Sequence, residues 1–175
     1  MKEWNVRPKF FFVVFILSLC FVAPAWAKLD KIGYVDVAKV FDGYQKTKDN
    51  DTSLQTNAQK KQKDRDALVQ TVRQLKDEVA LLAEDARGKK QETLDAKIRE
   101  LQDFESAAKR DLDAQRNKAV REIFKDIDDT IQRYGERKGY DFIFNERALL
   151  FRNAKYDMTA DVLSELNKNY GKQKK

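Results

Sequence analysis

The 175-residue chain has no histidine. Its single cysteine (Cys20), both prolines (Pro8, Pro24) and both tryptophans (Trp4, Trp26) all fall within the first 27 residues. Residues 28–175 therefore contain no Cys, Pro, Trp or His. That removes the commonest general base, the thiol nucleophile and most zinc chemistry. It also removes disulfides, so packing or self-association must hold the fold together. No glycine-rich phosphate loop occurs. Carboxylates are abundant but alternate with Lys and Arg, as on solvated helices, with no sign of the concave pocket that paired-carboxylate catalysis needs. These absences argue against an enzyme, and no cofactor or metal is expected.

The first 27 residues have the layout of an export signal. Lys2, Arg7 and Lys9 form a basic start, Phe10 to Val22 is an apolar run, and Ala25-Trp26-Ala27 is a small-x-small cleavage site. Cleavage is expected after Ala27. An uncleaved anchor helix is the alternative, but the run is short for a membrane span. A lipoprotein reading would use Cys20, but Leu19 is bulky where such sites need a small residue. Removing the segment takes a net +2 from the whole-chain charge of +6 and leaves a mildly basic +4.

Between Tyr44 and Tyr134 there is no proline and one glycine, Gly88, almost at the midpoint. Leu54, Ala58, Lys61, Arg65, Leu68, Val72, Leu75, Val79, Leu82 and Ala86 alternate at spacings of four and three, which is a heptad seam. Leu94, Ile98, Leu101, Glu105, Ala108, Leu112, Gln115 and Ala119 continue the alternation, which then drifts onto Val120, Ile123, Ile127, Ile131 and Tyr134. If the chain reverses at Gly88, Leu82 faces Leu94, Val79 faces Ile98, Leu75 faces Leu101, Leu68 faces Ala108 and Ala58 faces Ala119. Every such pair of position numbers totals 176 or 177. The pattern predicts an antiparallel helical hairpin over 45–134 with its turn near Gly88. The seam is polar at Lys61, Arg65 and Gln115 and loses phase after Leu112, so a bend or splay is expected there.

The two ends have a different composition. Lys31 to Asp36 predicts a short strand, and Asp36 can cap a helix carrying Val37, Val40, Phe41 and Tyr44 on one face. Gly135 and Gly139 are expected to end the second arm. Tyr140–Phe144 and Ala148–Arg152 predict two further strands around a turn at 145–147. Asp157 or Thr159 would cap a last helix from Ala160 to about Asn169, and 171–175 would be a disordered basic tail. Residues 28–175 hold twelve aromatics, and between Gln45 and Arg121 only Phe104 occurs. Residues 28–44 and 135–170 should therefore form one compact, β-rich body from which the arms project. Three short strands leave unpaired edges, and small disulfide-free bodies often need partners. Self-association through the body is expected, with Ile32, Tyr34, Val35, Phe142, Phe144 and Leu150 as its contact residues.

The first strand with Val40-Phe41, the long charged hairpin, the aromatic strand pair and Asp157-Met158-Thr159-Ala160-Asp161-Val162-Leu163 together resemble the Skp (OmpH-like) periplasmic chaperone family. The resemblance spans nearly all of residues 28–175. It implies a mainly α fold with a small β body that closes into a barrel in a jellyfish-like homotrimer. It implies a periplasmic, ATP-independent holdase that keeps unfolded outer-membrane proteins soluble in a cavity between the arms. The family is also linked to lipopolysaccharide through basic arm residues, a motif with no residue-by-residue match here.

From Gln45 to Tyr134 there are twenty Lys/Arg and nineteen Asp/Glu. Val69, Leu81 and Phe104 are the clearest apolar residues off the seam. They are either sparse client contacts or residues that thicken the seam. At the tip, Arg87, Lys89 and Lys90 suggest an electrostatic contact with acidic client loops or an anionic membrane surface, against the plain reading of a solvated helix turn. A structural coiled-coil envelope protein with fixed partners is the alternative, although each arm shows only one apolar stripe. Nucleic-acid binding is not expected, because positive charges are interleaved with negative ones and the export signal leads away from nucleic acid.

Overall fold

The computed structural model describes residues 30–174. The expected signal segment with its cleavage after Ala27 lies outside the described residues, as does Lys175. The chain divides into two units, Met1–Asp30 and Lys31–Lys175, and every helix and strand among the described residues belongs to the second.

In chain order the second unit contains β1 (Ile32–Val35), α1 (Val37–Gly43), α2 (Gln45–Leu81), a 3-10 turn (Glu84–Ala86), α3 (Arg87–Lys138), β2 (Phe142–Asn145), 3-10 turns at Glu146–Ala148 and Ala154–Tyr156, and α4 (Thr159–Gln173). Asp36 starts α1 as expected, its carboxylate accepting from the Lys39 N–H at 3.0 Å. Tyr44, with extended backbone, separates α1 from α2. At 1.5 Å per residue, the 37 residues of α2 and the 52 of α3 extend about 55 and 80 Å.

The arms form an antiparallel hairpin, but its turn and register differ from the sequence reading. The reversal occupies Leu82–Ala86, ahead of Gly88. Gly88 lies inside α3, where a Cβ would meet nothing within 4 Å. Arg87 closes the turn by donating from Nε to the Leu82 carbonyl at 2.8 Å and pairing with Glu84 at 2.8 Å. Pairs across the arms have position numbers totalling 168 at Glu78–Lys90, 170 at Arg65–Glu105 and 172 at Lys61–Asp111 and Asn57–Gln115. The register is therefore about one heptad shorter than the expected 176–177. A heptad pattern matches itself after a seven-residue slide, so periodicity alone could not choose between the two. The turn chemistry chose.

β1 and β2 pair in parallel, Ile32 opposite Phe142 and Tyr34 opposite Phe144. The expected strand at 148–152 does not form. Asn145 accepts from the Arg147 N–H at 3.1 Å and winds the chain into a 3-10 turn. The free edge of β1 is engaged elsewhere: Met158 donates to the Tyr34 carbonyl at 2.9 Å, beside an isolated bridge between Tyr34 and Asp157. Gly135 does not end α3. It lies within the helix because Ile143 packs on it, and a Cβ there would come within 2.8 Å of the Ile143 Cδ1. Gly139 is the stop, with φ of 67° in the left-handed region. At α4, Asp157 accepts from the Thr159 N–H at 2.8 Å. The helix continues to Gln173 through most of the expected tail, because Tyr170 donates to Asp49 at 2.9 Å and Lys174 pairs with the same carboxylate.

One core unites the body: Val35, Val40, Tyr44, Ile123, Ile127, Tyr134, Met158, Val162 and Leu166. The last third of α3 contributes Ile123, Ile127 and Tyr134. The drift of its apolar stripe after Leu112 is the point where the helix turns its face from α2 toward α1 and α4.

Candidate functional site

Two surfaces stand out: an apolar face on the body and the charged walls of the arms. The body face follows from strand alternation. Val35 and Ile143 point into the core with Gly33, where a Cβ would collide with Met158. Ile32, Phe142 and Phe144 point the other way and are 39, 55 and 41 % exposed. The Phe142 and Phe144 rings stack at 6.2 Å. Leu150 and Phe151 stand almost wholly in solvent. Ile32, Tyr34, Phe144, Leu149, Phe151 and Tyr156 line a hollow of about 200 Å³ on this side. Of the residues expected to make body contacts, Tyr34 and Val35 are buried within the chain, while Ile32, Phe142, Phe144 and Leu150 are uncovered. Apolar side chains left exposed on one side of the strand pair make this face a candidate interaction surface.

On the arms, Val69 and Phe104 are half-buried beside the seam, and Leu81 is 88 % exposed at the end of α2. The three do not make one patch of equal exposure. At the tip, Arg87 is engaged in the turn and Lys90 pairs with Glu78 at 2.7 Å. Lys89 is exposed and makes no ion pair among the described residues.

The polar seam is connected across the arms. Lys61 pairs with Asp111 at 2.9 Å, Arg65 with Glu105 at 2.6 Å, and Asn57 donates to Gln115 at 3.0 Å. Hydrogen bonding to Lys61 holds the Asp111 carboxyl below the ordinary carboxylate range, and hydrogen bonding to Glu105 raises Arg65. Where α2 leaves the body, Tyr44 and Lys46 both reach Asp126, at 3.1 and 2.8 Å. Burial and the Asp126 charge push the Tyr44 hydroxyl up. Tyr134 is pushed up to about 12 by burial and its hydrogen bond to Asp161. Hydrogen bonds from Lys174, Gln45 and Tyr170 lower Asp49 to about 2. Arg137 and Glu165 make a bidentate pair between α3 and α4.

Sequence reasoning missed a cleft of about 270 Å³ between the arms just above the body, lined by Phe41, Thr47, Asn50, Leu54, Val120 and Ile123 among others. Its only trace in the sequence is the loss of heptad phase beside it. Among the described residues, no group of acidic residues is placed to hold a metal ion, and no helix is long and apolar enough to cross a membrane.

A two-armed helical hairpin carried by a small sheet-and-helix body, with an apolar face left open, defines a class of architecture. The family model for outer membrane protein (OmpH-like) matches residues 31–166, and the chain belongs to that family. Its fold is similar to that of a protein from Caulobacter crescentus CB15 solved as a candidate outer membrane chaperone (OmpH-like). The TM-score is 0.73 at 17 % identity, covering 81 % of this chain and 86 % of the other. No curated protein matches the sequence.

Proposed function

We propose that the protein is an ATP-independent periplasmic holdase that keeps unfolded outer-membrane proteins soluble between its arms. The observation that carries this reading is the contrast along the hairpin. Beyond the body, the arms fully bury one apolar side chain, Leu94; their other seam residues are half-buried and their outer faces carry balanced charge. Such arms are solvated walls with almost no core of their own, suited to many weak contacts with another chain. The family resemblance and the signal-like N-terminus support the periplasmic setting.

In this reading the exposed body face of Ile32, Phe142, Phe144 and Leu150 is covered by other copies of the chain. Three copies whose sheets join as a barrel would set three hairpins around a cavity. Val69, Leu81 and Phe104 supply sparse apolar contacts to the client, and Lys89, with Arg87 and Lys90 near it, gives the tip its attraction to acidic loops, anionic membrane or lipopolysaccharide. The polar seam at Lys61, Arg65 and Gln115 is where the arms bend.

The test is dilution of a denatured outer-membrane barrel into buffer with and without the protein, followed by light scattering. Suppression at stoichiometric oligomer is expected, and scattering unchanged at excess protein ends the holdase reading. Sedimentation velocity of Phe142→Asp tests the body interface: a shift from oligomer to monomer is expected, and an unchanged coefficient removes that face from the assembly.

A further inference from the structure

The two arms are attached to the body in different ways. Ile123, Ile127 and Tyr134 seat α3 in the core. Along its 37 residues α2 fully buries one side chain, Thr47, so it has almost no core of its own to fix its direction. A single non-helical residue, Tyr44, joins it to α1, with extended backbone at φ −70° and ψ 128°. The Tyr44 side chain does not cap α2, although the first N–H groups of a helix need acceptors from outside it.

The acceptor comes from the other end of the chain. Leu163, Asn167, Tyr170 and Lys174 follow at spacings of four, three and four, which puts them on one face of α4. They lie along the joint in the order of their positions. Leu163 sits on Gly43, so closely that a Cβ there would come within 2.6 Å of its Cδ2. Asn167 straddles the break. Its Oδ1 accepts from the Gln45 N–H at 2.8 Å, and its Nδ2 donates to the Gly43 carbonyl at 3.4 Å. Tyr170 stands edge-on to Tyr44, with ring centroids 5.6 Å apart, and donates its hydroxyl to Asp49 at 2.9 Å. Lys174 pairs with the same carboxylate, and Gln45 Nε2 donates to it at 2.9 Å. The last fully buried residue of α4 is Leu166, so beyond it this stripe is the helix's principal hold.

A joint of one extended residue is where an arm can pivot, and a side chain bonded to both sides of it fixes the angle. We propose that the last two turns of α4 are a strap across the α1–α2 joint, so that order in the C-terminal turns and the set of arm α2 form one equilibrium. Asn167 supplies the cap, and Asp49 is the anchor that keeps the strap in place. With the strap down, α2 leaves the body in one direction. With it lifted, the Gln45 N–H loses its acceptor and the first turn of α2 loosens. The strap is polar and peripheral, so lifting it costs less than unfolding the body. This deepens the holdase reading and rests on it for the consequence, which is that the strap sets how firmly arm α2 holds a client.

Amide exchange in the intact protein tests the strap, with each substitution read on the other helix. Asn167→Ala, on α4, should quicken residues 45–48 of α2 about fivefold, as loss of a helix cap does. Asn167→Asp keeps an acceptor for the Gln45 N–H and should leave these amides as they were. Asp49→Ala, on α2, should quicken residues 170–174 of α4. Combined with Asn167→Ala it should add less than the two effects taken separately, because both lift one strap. Lys174→Ala, at the exposed end, should act in the same direction and serves if another variant does not fold. Effects confined to the substituted helix overturn the proposal. So does an aspartate that loosens α2 as much as alanine, and so does equal quickening across residues 123–134, which would make the end of α4 simply part of the core. Release of a bound unfolded outer-membrane barrel, timed by competition, should be several-fold faster from Asn167→Ala than from Asn167→Asp. Equal release rates would overturn the strap's part in holding a client. A protein that suppresses no aggregation at all would instead sink the holdase reading and leave the exchange coupling standing.

Discussion

The body and the arms are built on opposite terms. The body draws a nine-residue core from β1, α1, Tyr44, α3, Met158 and α4, with Val40, Ile127 and Val162 completely buried. The arms are far longer, and outside that core Leu94 is the one apolar side chain they bury. Their pairing rests on half-buried seam residues and on cross-arm polar pairs such as Lys61–Asp111 and Arg65–Glu105. Exposed ion pairs contribute little and weaken with salt. Stability is therefore concentrated in the body, and the arms can loosen locally while the anchor stays folded.

Substitutions can test this contrast, beginning with the largest expected effect. Ile127→Ala, in the closed core, should cost about 2–5 kcal/mol in denaturant unfolding of the whole chain. Leu94→Ala should cost about 2 kcal/mol, at the low end of that range, because the tip can collapse into the space. Hydrogen exchange should place its effect near residues 72–98, with the body protected as before. Equal, global effects of the two substitutions would erase the distinction drawn here. Removing Arg65 or Glu105 should give a smaller coupling still, read by a double-mutant cycle and declining between low and high salt. Smallest is a pH effect at the base. Hydrogen bonds place the folded Asp49 carboxyl at about 2 against an ordinary 3.8. Its contribution is thus present above about pH 4 and lost as pH falls toward 2. Amide exchange over residues 167–174 should quicken in that window, and Asp49→Asn should flatten the response.

The hairpin was legible in the sequence because two heptad runs flank a proline-free midpoint, and the Asp36 cap because Asp before a one-face apolar set has a single local meaning. The register was not legible, since heptads slid by seven residues look alike and only the Arg87–Leu82 closure fixes the turn. The missing strand at 148–152 was misread from its apolar content. The outer edge of β2 is open, but Asn145 accepts from the Arg147 N–H and winds the chain into a 3-10 turn, so the segment does not return along it. Gly135 was misread as a stop because a glycine in a helix can end it or admit a neighbour, and only Ile143 decides which. At the candidate site, strand alternation made Ile32, Phe142 and Phe144 visible. The Thr47 hydroxyl and the Asn50 side-chain N–H were invisible, because a buried polar atom without a partner among the described residues leaves no sequence pattern.

The parallel pairing of β1 with β2 also bears on how the chain folds. Lys31 and Asp141 are hydrogen-bonded through the Lys31 N–H at 2.7 Å although 110 positions apart. Joining such distant segments through a floppy loop is slow, because the ordering cost comes before any contact is gained. The arms supply a shorter route. They can close from the turn at Leu82–Ala86 outward, each step joining residues already near, until the two strands arrive side by side. A chain with the turn loosened by glycines across 83–86 should then refold more slowly than its loss of stability alone requires, in stopped-flow measurements. The hairpin would be the path by which the termini meet as well as the wall they support.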